Sequence, residues 1–126
     1  MSCCCGTEKK LRLVYSCSGA ANTGFLADRV YRKLMQEEGI DGTCLAAMGA
    51  NFSGFVISAQ EACDNIVIDG CPVACGKKIF DDKGLSYTHF VMTDFSVEKG
   101  KTEITDDIVE RISKEIANKI REKVDG

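Results

Sequence analysis

Asn65-Ile66-Val67-Ile68-Asp69-Gly70-Cys71-Pro72-Val73-Ala74-Cys75 is the stretch from which the fold can be read. Ile66, Val67 and Ile68 are apolar and β-branched on successive positions, so both faces of the segment avoid water. That pattern belongs to a strand buried on both sides within a parallel sheet. Pro72 suits the first position of a helix, because it has no N–H to leave without an acceptor. A strand running through Asp69-Gly70 into a helix capped by Cys71 is therefore expected.

The same alternation extends in both directions. Leu11 to Ser16 reads as a first strand, followed by the turn Cys17-Ser18-Gly19-Ala20-Ala21-Asn22-Thr23-Gly24. Leu26, Val30 and Leu34 then repeat at helical spacing, and Gly39 is a natural stop. Thr43 to Ala47 reads as a short second strand, residues 49–62 as a loop with one helix, and His89 to Thr93 as a fourth strand. Thr105 is expected to cap the last helix, with Asp106 and Asp107 in its first turn and Ile104 and Val109 at staple positions. Ile108, Ile112, Ile116 and Ile120 form its apolar stripe. Strand–helix alternation predicts an α/β fold, a single three-layer domain. Its sheet is expected to have four parallel strands in order 2-1-3-4, Rossmann- or flavodoxin-like, with helices on both faces. Residues 1–10 read as a flexible, cysteine-bearing tail and 11–126 as a single α/β metal-binding domain. Ligands of such sheets bind beyond the carboxyl ends of the strands, where the strand order reverses.

A net charge of −3 offers no electrostatic reason for a nucleic-acid or membrane-surface partner. No apolar run is long enough to span a bilayer, and Met1 to Cys5 lacks the basic and apolar regions of a signal peptide. A cytoplasmic protein is expected. The eight cysteines are then the anomaly. A reducing compartment disfavours a disulfide scaffold, which leaves metal ligation, redox chemistry or burial as small apolar side chains.

Cys17 follows the first strand and Cys71 the third. Neighbouring strands lie about 4.8 Å apart, so both thiols would flank the point of reversal. Cys75 is four residues beyond Cys71, a spacing that shares one face of a helix. Three sulfurs can thus converge, and helix N-termini nearby favour thiolates, the form that binds metal. Cys44 is open between ligand and core. Cys63 is expected at the opposite edge in a structural or surface role. Cys3, Cys4 and Cys5 belong to an exposed tail or to a ligand-donating arm; at about 3.3 Å per residue the arm just reaches the carboxyl edge. His89, the single histidine, is assigned a structural role at the amino edge, and Asp69 that of a turn former, with a hydrogen-bond acceptor behind the metal ligands as the alternative. Gly19 to Gly24 has the glycine spacing of a phosphate loop, but Phe25 and Leu26 stand where Lys and Ser/Thr belong. Nucleoside triphosphate binding is therefore unsupported, while the turn's N–H groups remain suited to a small anion.

Ile68-Asp69-Gly70-Cys71-Pro72-Val73-Ala74-Cys75 resembles the signature of the DGC-domain family, described as zinc-binding. Tyr15-Ser16-Cys17-Ser18-Gly19 with Leu26-Ala27-Asp28, Cys44-Leu45-Ala46 and Thr93-Asp94-Phe95 resemble its other motifs. The likeness covers roughly residues 11–100. It implies a zinc ion held by Cys17, Cys44, Cys71 and Cys75. Relatives carry further cysteines where this chain has Ala20 and Ile79, which argues against a second metal here. The resemblance implies ligands but no reaction.

The expected function is binding of a thiophilic metal ion, zinc, through a cysteine cluster at the carboxyl edge. The alternatives are a thiol enzyme or sulfur carrier using Cys17 or Cys71, soft-metal trafficking through the Cys3–Cys5 arm, and a small-ligand module built on the glycine turn.

Overall fold

The computed structural model describes residues 11–125. The tail containing Cys3, Cys4 and Cys5 lies outside them. In chain order the elements are β1 (Arg12–Ser16), α1 (Asn22–Glu38), β2 (Asp41–Gly42), α2 (Leu45–Gly49), α3 (Ser53–Glu61), β3 (Asp64–Asp69), α4 (Cys75–Lys83), β4 (Thr88–Val91) and α5 (Asp106–Asp125), with a 3-10 turn at Met92–Phe95. The strands form one parallel sheet in order β2-β1-β3-β4. The longest pairing joins β1 to β3 from Arg12↔Asp64 to Ser16↔Ile68.

Alternation along the strands divides the core in two. Val14, Ile66 and Ile68 face α1 and α5, where Leu26, Val30, Leu34, Ile112, Ile116 and Ile120 bury the stripes expected of them. Leu13, Tyr15 and Val67 face the other way, onto Met48 of α2, Ala59 of α3 and Phe80 of α4. This is the three-layer α/β arrangement, with helices on both faces. No helix among the described residues is long and apolar enough to cross a membrane.

The helix ends follow local chemistry. Gly39 closes α1 at φ 66°, in the left-handed region open to a residue without Cβ. Thr105 caps α5, accepting the Ile108 N–H on Oγ1 at 3.3 Å and the Val109 N–H on its carbonyl at 3.1 Å. Ile104 packs on the same core as Val109, as a staple requires.

Three expectations need correction. The second strand is Asp41–Gly42, not residues 43–47, and the chain turns into α2 at Leu45. The alanine-rich run Leu45-Ala46-Ala47 suits a helix better than a strand. The fourth strand is Thr88–Val91, not residues 89–93, and Met92 and Thr93 belong to the 3-10 turn. The helix after β3 begins at Cys75, not Pro72, because Cys71 to Ala74 form a turn closed by the Ala74 N–H on the Cys71 carbonyl at 3.0 Å.

One buried polar network joins the sheet to its helical cover. Tyr15 donates its hydroxyl to Asn65 Oδ1 at 2.8 Å, and Asn65 Nδ2 donates to the carbonyls of Ala59 at 2.9 Å and Ser86 at 3.3 Å. Burial pushes the Tyr15 hydroxyl well above its ordinary pKa, so it remains a donor. Asn65→Ala would leave that hydroxyl and the two carbonyls without partners. We expect a loss of about 2–3 kcal/mol in denaturant-measured stability, with Tyr15→Phe in the Asn65→Ala background recovering part of it.

Candidate functional site

The carboxyl edge of the sheet is assembled by backbone that passes very close to backbone. After β1, the Cys17 N–H donates to the Ile68 carbonyl at 2.9 Å, which ties Cys17 to the end of β3. Gly70 ends that strand against the first turn of α1. A Cβ there would stand 2.8 Å from the Thr23 carbonyl oxygen and 2.9 Å from the Gly24 nitrogen. Gly24 in turn crosses Gly19, where a Cβ would meet the carbonyl oxygen at 2.6 Å. Glycine is required at both crossings because no side chain fits between the chains.

Cys17, Cys71 and Cys75 line one small cavity at this edge. Cys17 also lines a second, larger basin with Cys44, Tyr31, Arg32 and Phe55. Of the four cysteines singled out by sequence, Cys71 and Cys75 thus share one cavity with Cys17, and Cys44 shares the other. Cys17 and Cys71 are half-buried, Cys44 and Cys75 exposed. Among the described residues, no three His, Cys, Asp or Glu side chains stand close enough to hold a metal ion as they are placed.

Cys44 is neither a strand residue nor core. It sits at the N-terminal boundary of α2, just past β2, where the Thr43 N–H continues the sheet to the Val14 carbonyl at 3.1 Å. The shortened second strand is what brings it to the carboxyl edge. Cys71 and Cys75 do not share a helical face, because only Cys75 is helical. They meet across the turn, in which Ala74 takes φ 56°, a left-handed conformation that a Cβ disfavours. Cys63 precedes β3 at the amino edge, its N–H donating to the Leu11 carbonyl at 2.8 Å.

Asp69 has a larger role than turn formation. It is 1% exposed, and its carboxylate accepts the N–H groups of Gly76 at 2.8 Å and Lys77 at 3.1 Å. It therefore caps α4 from the sheet, in place of Ala74, which has no capping side chain. His89 Nε2 lies 2.7 Å from Asp69 Oδ2. Burial alone would raise the Asp69 pKa. The His89 hydrogen bond and the two backbone N–H groups outweigh it, holding the carboxyl below its ordinary value. His89 is thus structural, as expected, but its ring serves the carboxyl end of β3 rather than the amino edge. Gly76 makes room for the cap, since a Cβ would meet Val67 Cγ1 at 2.6 Å and Asp69 Oδ1 at 3.0 Å.

Partial burial first, then the negative charges of Cys17, Asp69 and Cys71, push the Cys75 thiol above its ordinary pKa. Lys99 Nζ approaches Cys71 Sγ at 3.4 Å, a cation beside sulfur that sequence reasoning missed. It lies 28 residues away in a loop without periodicity, so no local signal marks it. Asp28 was visible only as part of a family motif. It accepts from Ser18 Oγ at 2.9 Å and Arg32 Nε at 2.8 Å, which anchors the loop that carries Cys17.

Asp69→Asn keeps the size but loses the charge that the α4 N-terminus and His89 engage. We expect a loss of about 2–4 kcal/mol, read by denaturant unfolding. The folded-state pKa is depressed, so the carboxylate's contribution is complete above its unfolded value and disappears as pH falls through the folded one. Wild type and variant should therefore converge in stability in acid.

Comparison with known proteins agrees with these motifs. Residues 13–116 match the DGC domain. The chain is 33% identical over 70 residues to the anaerobic and virulence modulator AnvM of Pseudomonas aeruginosa, a match covering 56% of this chain and 53% of that protein. The chain thus spans about half the length of this curated relative. No solved structure matches it. With its sheet order, its edge cysteines and a match across most of its length, the chain belongs to the DGC domain family.

Proposed function

We propose that the cysteines at the carboxyl edge bind a thiophilic metal ion, zinc, with Cys17, Cys71 and Cys75 as ligands and Cys44 as the fourth. The observation that carries this reading is that the first three line one cavity, although they come from two separate βα connections. Thiol sulfur is the donor that zinc and other soft metals prefer, and membership of the DGC domain family supports a metal-binding role. The donor chemistry fits zinc. The sulfurs are not grouped closely enough to ligate as they stand, so the reading requires them to rearrange on binding. Four thiolates would close the coordination shell, as in structural or storage sites; three would leave a position open, as in catalytic ones.

Protein purified without chelator is expected to carry about one zinc per chain by elemental analysis. Cys71→Ser should lose it, and Cys44→Ser should show whether a fourth thiolate takes part. Wild-type protein that stays metal-free, with all thiols reduced and reactive after zinc is offered, would refute the proposal.

Lys99 beside Cys71 favours a second reading, a thiol enzyme or sulfur carrier with Cys71 as nucleophile. Reactive cysteines sit in electropositive surroundings. This reading predicts that Cys71 is alkylated fastest among the described cysteines and that Lys99→Gln slows the reaction at neutral pH. A single slow thiol population, unchanged by Lys99→Gln, would dismiss it.

A further inference from the structure

The described cysteines divide between the two ends of the sheet. Cys17, Cys44, Cys71 and Cys75 carry free thiols at the carboxyl edge. Cys63 stands at the amino edge, just before β3, and is disulfide-bonded. The six residues of β3 keep the two groups about 20 Å apart. The Cα atoms of a disulfide lie within about 7 Å of each other. None of the four free cysteines can therefore be the partner of Cys63 within one folded chain.

The chain that enters β1 supplies the alternative. The Cys63 N–H donates to the Leu11 carbonyl at 2.8 Å, one step before Arg12 pairs with Asp64 in the sheet. Leu11 and Cys63 are thus neighbours, and the N-terminal arm joins the fold beside Cys63. Cys5, Cys4 and Cys3 precede Leu11 by six, seven and eight residues; they lie outside the described residues. At up to about 3.3 Å per residue, that much chain is long enough to turn back on a site next to its own anchor. The entropy cost of closing a loop grows with the logarithm of its length. Pairing at Leu11 replaces the long span from Cys5 to Cys63 by the short one from Cys5 to Leu11, which raises the effective concentration of one thiol at the other. Cys63 is half-buried rather than sealed in the core, so a thiol from the arm can approach it.

We propose that Cys63 forms a reversible disulfide with one cysteine of the segment Cys3-Cys4-Cys5, which ties the N-terminal arm to the amino edge of the sheet. The oxidant is a low-molecular-weight disulfide of the glutathione class. An arm thiolate attacks it, forming a mixed disulfide and releasing one small thiol. The Cys63 thiolate then attacks the arm sulfur of that mixed disulfide and releases the second small thiol. The chain gives up two protons and two electrons, and both pairs pass to the oxidant. The core on each face of the sheet is built without this link, so the link is a redox-responsive tether and not a scaffold. Transient links of this kind occur even where structural disulfides are disfavoured. None of the four proposed metal ligands takes part, so the inference stands apart from the metal reading.

The test equilibrates the dilute, metal-free full chain in buffers of graded ratio of reduced to oxidised glutathione. Acid quenching and alkylation follow, and linked peptides are identified by mass spectrometry. A link between the peptide that carries Cys63 and the one that carries Cys3, Cys4 and Cys5 is expected to grow as oxidised glutathione rises. It should vanish when excess reduced glutathione is restored. Cys63→Ser should lose the link. Cys3→Ser, Cys4→Ser and Cys5→Ser together should lose it as well, which keeps the test decisive where Cys63→Ser fails to fold. Three results would overturn the inference: Cys63 recovered at every ratio only as an alkylated thiol or a glutathione adduct, Cys63 linked to Cys17, Cys44, Cys71 or Cys75, or a link that joins two chains and rises with protein concentration. Zinc stoichiometry is read on separate samples and does not bear on the outcome.

Discussion

The close approach of Gly70 to the first turn of α1 is the constraint on which the rest of this edge depends. With any side chain at Gly70, the end of β3 and the start of α1 would be forced apart. The Cys17 turn and the Cys71 turn would then separate, since one precedes α1 and the other follows β3. The backbone contact works together with the hydrogen bond from Cys17 to Ile68, which registers the same two connections at the sheet itself. Both depend on β1 and β3 being neighbours, the central pair of the sheet.

Around that contact, long-range interactions tie each functional segment to a rigid element. Asp69 holds the start of α4 from the end of β3, and His89 braces Asp69 from β4. Asn22 fixes the Lys99 loop on α1, and Asp28 steadies Ser18 beside Cys17. A set of turns that would otherwise be loose is held at one rim, with sulfur, positive helix charge and one lysine within the same small space. Under the readings proposed above, the sulfur supplies the donor and the positive surroundings are those in which reactive cysteines are found.

The layer plan was legible from residues 65–69 and the stripes of α1 and α5, because burial on one or two faces leaves a periodic trace. The reading failed where local signals competed. Pro72 suggested a helix start, yet the helix waits until Cys75, because its N-terminus is satisfied by Asp69 from the sheet rather than by a residue just ahead of it. Thr43 and Cys44 favoured extension, yet α2 begins at Leu45, and a two-residue strand is enough for the edge of the sheet. The core reading of Cys44 depended on that strand being drawn too long, since the residue is exposed.

Sequence alone determined the strand–helix alternation, the parallel sheet and its order, the apolar stripes of α1 and α5 and the supply of sulfur. Each of these rests on residue type and spacing within one segment. Tertiary structure decided which groups meet: Cys44 with Cys17 around one basin, Lys99 with Cys71, and His89 with Asp69. These outcomes join residues far apart in the chain through crossovers and loops, where no periodicity carries the information. Whether two such groups touch depends on backbone spacing of a fraction of an ångström, as at Gly70, and that distance exists only once the layers have packed.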